Sequence, residues 1–139
     1  MFSGNALVDT LTEATSGGTD EIRIANNGGS TFTIAAGDAL GGVKNIEKIT
    51  AAATDTIITI TLKADMHNNG LQTVDLSGDT TATADNVIDA SLETEDLAFA
   101  LTGSAGIDTI TGGAGGDTIT GGTGNDVITG GAGADTLVG

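Results

Sequence analysis

From residue 103 onward the chain repeats every nine residues, and this short fixed period constrains the fold more than any other feature. Residues 103–111 read GSAGIDTIT, 112–120 GGAGGDTIT, 121–129 GGTGNDVIT and 130–138 GGAGADTLV, and Gly139 opens a further unit. Positions one and four are always Gly, position six is always Asp, and position eight is Ile or Leu. Glycine at fixed places permits backbone angles closed to other residues, so positions one to six form a tight turn. Positions seven to nine alternate around one apolar residue, the pattern of a short strand with a single inward side chain. One unit is then half a coil, and two make a full turn of about 18 residues. Ile110, Ile119, Ile128 and Leu137 are expected to fill a narrow core between two short sheets. Such a core is one side chain wide, which accounts for the absence of Trp and Tyr and for only three Phe in 139 residues.

The aspartates create an electrostatic problem that the fold must solve. Units on the same edge lie two repeats apart, so Asp108 is expected to stack near Asp126 on one edge and Asp117 near Asp135 on the other. Neighbouring strands are about 4.8 Å apart. Two carboxylates at that spacing repel by about 3–4 kcal/mol at an effective dielectric constant of about 20. That is a large share of a small domain's stability. The formal net charge is −15, and all four basic residues, Arg23, Lys44, Lys48 and Lys63, precede Ala64. A hard divalent cation removes the repulsion, and carboxylates with turn carbonyls are the oxygen donors that calcium prefers. The expected ligands are Asp108, Asp117, Asp126 and Asp135 with the carbonyls of Gly112, Ala114, Gly121, Thr123, Gly130 and Ala132. Folding and calcium binding should be one coupled event.

These units resemble the glycine-rich nonapeptide GGxGxDxUx of the RTX family, over Gly103–Gly139. The resemblance implies a parallel β-roll with calcium between successive turns and export from the cell. Ser104 departs from the pattern at a second-glycine position, where a small residue costs little.

The preceding region is less regular but related. Asp9 and Asp20 stand at position six of the same frame, with Leu11 and Ile22 at position eight, while Asp55 and Asp85 echo the Asp-x-apolar step. Strands are expected at 21–25, 31–35, 45–50, 56–62 and 72–76, with turns at 26–29 and 68–70 and no amphipathic helix. The chain reads as all-β: an irregular β-solenoid-like region, 1–102, continuing into a regular parallel β-roll, 103–139. Asp9 and Asp20 are either calcium ligands or, the preferred reading, solvated turn residues. Glu93, Glu95 and Asp96 form an acidic cluster, read as a solvated face in preference to a cation seat.

Several functions find no support. Without Cys there is no disulfide framework or zinc-thiolate site. His67, the sole histidine, falls in a turn-like stretch and supports no catalytic triad. The acidity disfavours nucleic acid and anionic membranes. The most apolar run, 57–62, is too short for a transmembrane helix and is broken by Thr59 and Thr61. Gly122–Asp126 resembles the Thr/Asn turn of calcium-dependent ice-binding solenoids, but the pair does not recur in the other units. The sequence therefore points to a non-catalytic, calcium-binding extracellular structural protein that assembles through its open solenoid ends into a fibre, surface layer or biofilm matrix, and the RTX resemblance implies secretion by a type I-like route. The alternative is a secretion and folding module of a larger adhesin, toxin or enzyme.

Overall fold

A computed structural model describes residues 19–25, 31–34, 45–52, 57–68, 70–83 and 85–139. Asp9, Asp55 and the expected turn at 26–29 lie outside the described residues. In the repeats each threonine-flanked apolar residue becomes the centre of a three-residue strand: β8 (Thr109–Thr111), β9 (Thr118–Thr120), β10 (Val127–Thr129) and β11 (Thr136–Val138). Upstream lie β1 (Glu21–Ile24), β2 (Phe32–Ile34), β3 (Lys48–Ala51), β4 (Ile58–Lys63), β5 (Thr73–Asp75), β6 (Val87–Leu92) and β7 (Ala100–Thr102). Successive strands go to opposite sheets. One sheet runs β1-β3-β5-β7-β9-β11 and the other β2-β4-β6-β8-β10, with every pairing parallel. Both sheets pass through residue 103 without interruption.

Register exposes how the coil changes along the axis. In the first sheet Ile22 pairs with Ile49, then Val74, Leu101, Ile119 and Leu137, at spacings of 27, 25, 27, 18 and 18 residues. In the second, Ile34 pairs with Ile60, then Ile88, Ile110 and Ile128, at 26, 28, 22 and 18. The early coils are wider and hold more side chains, among them Leu62, Leu76 and Phe99, all buried. The regular coils hold little beyond Ile110 and Ile119. Ile128 is only partly buried, and Leu137, expected in the core, is 49% exposed, because β11 has a neighbour on one side only.

The five strands expected before residue 77 form, with ends shifted by a few residues. A short helix, α1 (Ala64–Asn68), stands where none was expected. At five residues it is too brief to show a helical hydrophobic period. His67 sits in its last turn, its ring edge-on to Phe99 at 5.0 Å. No helix among the described residues is long and apolar enough to cross a membrane.

Candidate metal centre

The two oxygens of the buried repeat aspartates, Asp108 and Asp117, do different work. Asp117 Oδ2 accepts the N–H of Gly113 at 2.7 Å and so closes its own turn. Asp108 closes its turn in the same way through the N–H of Ser104. One oxygen of each repeat aspartate reaches back one coil: Asp126 Oδ1 accepts Asp108 N–H at 2.9 Å, and Asp135 Oδ1 accepts Asp117 N–H at 2.9 Å. Asp117 and Asp108 likewise accept the N–H groups of Phe99 (2.8 Å) and Asn86 (3.1 Å). The structure thus stacks Asp108 with Asp126 and Asp117 with Asp135. Asp108 and Asp117 are buried to 1% exposure, while Asp126 and Asp135 are half-buried. Burial raises the Asp108 carboxyl above its ordinary range, and Asp126 adds to the push, against hydrogen bonds from Ser104 and Asn86.

Carbonyl oxygens crowd the same seams. Gly122 and Gly124 have φ of 110° and 136°, and a Cβ on either would come within 2.1 Å of the carbonyl oxygen of Ser104 or Gly106 in the preceding coil. On the opposite edge Gly113 and Gly115 carbonyls face Gly131 and Gly133 in the same way. The carbonyls of Gly121 and Gly130 press on Gly103 and Gly112, and those of Gly112 and Ala114 lie against Gly131 and Gly133. Thr123 and Ala132 donate their N–H groups to the carbonyls of Ser104 and Gly113. Reasoning from sequence named carbonyls at positions one and three. The carbonyls at positions two and four lie on the same seams, each facing a glycine two units, or one coil, later.

The donor set is oxygen throughout, and it suits a hard cation. Among the described residues no group of three or more His, Cys, Asp or Glu side chains converges, so each seam offers at most a pair of carboxylates and backbone carbonyls must complete any coordination. Comparison with known families matches the RTX calcium-binding nonapeptide repeat, in four copies, at residues 101–139. This segment is an RTX calcium-binding repeat array. RTX repeats bind calcium ions, and the family is typical of proteins secreted by type I systems. The match covers a little over a quarter of the chain; no curated protein and no solved structure matches it.

The side-chain ladder of the RTX array continues upstream with other residues. Register places Asn86 at position six of its coil, since Val87 pairs with Thr109. Its Oδ1 accepts Ile58 N–H at 2.8 Å, and its Nδ2 donates to Asp79 Oδ2 (3.1 Å) and Ser104 Oγ (3.0 Å). Asp85, whose Asp-x-apolar step echoes the array, falls one residue before that position. Ser104, the departure from the glycine pattern, is a buried hydrogen-bond hub that also donates to Asp108. Asp20 is buried, not solvated as expected; it lies beneath Glu47, whose Oε2 accepts the Asp20 N–H at 2.7 Å. Glu93 is also buried, which corrects the reading of its cluster as a solvated face, whereas Glu95 and Asp96 are exposed. The amide of Asn86 therefore does for the fold what Asp does in the array, without charge. Replacing Asn86 with Ala is expected to leave Ile58 N–H and Asp79 short of partners, at about 1–3 kcal/mol for each group. Urea midpoints should fall equally with and without calcium; a fall confined to the calcium form would contradict this.

Proposed function

We propose that the chain is a secreted, non-catalytic structural protein whose RTX array folds on calcium and joins neighbouring molecules coil to coil. The carrying observation is the unbroken pair of parallel sheets from β1 to β11, which makes the described residues one repetitive stack of coils. Calcium supplies positive charge between carboxylates that otherwise repel. Asp108 with Asp126, and Asp117 with Asp135, would hold it together with the seam carbonyls. Each coil of this stack presents its backbone to the next through parallel strand pairing, and the same pairing can join one molecule to another. An unpaired strand edge templates such pairing. Negative-stain microscopy of purified chain should show filaments with calcium and none in chelator. Monomers persisting at saturating calcium would sink self-association and favour the second reading, a secretion and folding module of a larger type I-exported protein. That reading draws on the array's restriction to residues 101–139.

A further inference from the structure

Glu93 lies in the loop between β6 and β7, outside the RTX array, and is 1% exposed. Its Oε1 accepts the N–H of Glu95 at 2.8 Å, but its Oε2 is buried without a hydrogen-bond partner. An unpartnered buried carboxylate oxygen is costly, so something must complete its surroundings. No Lys or Arg occurs from residue 64 onward.

The surroundings are those of an array seam. Leu101 pairs with Ile119, so Phe99 occupies the place of an array aspartate in this coil and brings no carboxylate. The row of carbonyls nevertheless continues: a Cβ on Gly115 would lie 2.2 Å from Leu97 O, just as one on Gly133 would lie 2.4 Å from Gly115 O. Glu93 packs against the next turn, with its Cβ and Cγ 3.0 and 3.2 Å from where a Gly113 Cβ would be. Gly113 is the residue whose N–H binds Asp117 Oδ2. Glu93 and Asp117 thus abut the same glycine, with the loop's carbonyls on the seam.

We propose that Glu93 is a calcium ligand, and that with Asp117 and the Leu97 carbonyl it holds an ion at the seam preceding the array, where Phe99 replaces the expected aspartate. The inference rests on the calcium reading of the array. Its test is calorimetric titration of calcium into the full chain and into Glu93→Gln and Asp126→Ala variants. Glu93→Gln should lose a calcium equivalent while melting in chelator at or above the parent temperature, because a neutral amide replaces the orphaned carboxylate. Asp126→Ala should lose calcium on the opposite edge and retain the Glu93 equivalent. If the parent binds calcium and Glu93→Gln binds as much, as tightly, the Glu93 site is overturned while the array reading stands. A parent that binds no calcium overturns both. Should Glu93→Gln fail to fold, the carboxyl ¹³C resonances of glutamate-labelled parent decide: Glu93 should shift on calcium addition, and an unmoved resonance refutes the site.

Discussion

Chelating calcium is expected to strip residues 103–139 of strand structure while β3–β6 keep theirs. The array stacks carboxylates in two pairs, each repelling by about 3–4 kcal/mol at strand spacing and an effective dielectric constant of about 20. Against this stands the burial of Ile110 and Ile119, about 1.5–3 kcal/mol each. Ile128 is partly buried and Leu137 is exposed, so they add little. Burial and repulsion are therefore of similar size before chain entropy is counted, and the cation decides the balance. The upstream coils differ. They bury Ile49, Ile60, Leu62, Val74, Leu76 and Ile88, and their ladder runs through the neutral Asn86. Hydrogen exchange read segment by segment should show protection lost in the array and kept from 58 to 90. An unchanged circular dichroism spectrum on adding chelator would refute calcium-dependent folding.

What the sequence makes visible follows from how rigidly the spacing is kept. In the array every coil has the same length, so the inward isoleucines and the stacked aspartates can be read by counting. Upstream, coils of 25 to 28 residues let loops absorb insertions, and counting no longer aligns one coil with the next. Ile22, Ile49 and Val74 belong to the same column as Ile119, but only hydrogen-bond register reveals it. Asn86 escaped notice for a similar reason: Asp85 is the acidic residue, yet its neutral neighbour occupies the ladder. Burial was the other hidden quantity. Glu93 looks like its exposed neighbours Glu95 and Asp96 in composition, and only the stacking of its loop on Gly113 separates it from them.

In chelator, acid should restore order to the array. The Asp108 carboxyl lies above its ordinary value of 3.8, chiefly through burial. Its folded form therefore binds a proton more tightly than its unfolded form. Ionisation costs stability above the raised value, and the cost is relieved as pH falls through that value toward 3.8. Asp75 has the opposite sign. Burial works against it, but hydrogen bonds from Ser77 and Lys48 and the Lys48 charge hold its carboxyl below 3.8. Its contribution is present above 3.8 and lost only as pH falls through the lowered value. The Lys48–Asp75 pair, at 3.1 Å, is about a third exposed and so worth little after solvent screening. Melting temperature of the calcium-free chain should consequently rise between neutrality and about pH 4 before falling at lower pH. With calcium bound the slope should invert, because protons and calcium compete for the same carboxylates. Asp108→Asn supplies the control: with no charge to neutralise at that position its calcium-free form should gain less from acid, whatever it loses because one amide oxygen cannot accept both the Ser104 and Asn86 N–H groups. A calcium-free melting temperature that only falls on acidification would show that carboxylate repulsion does not govern the array.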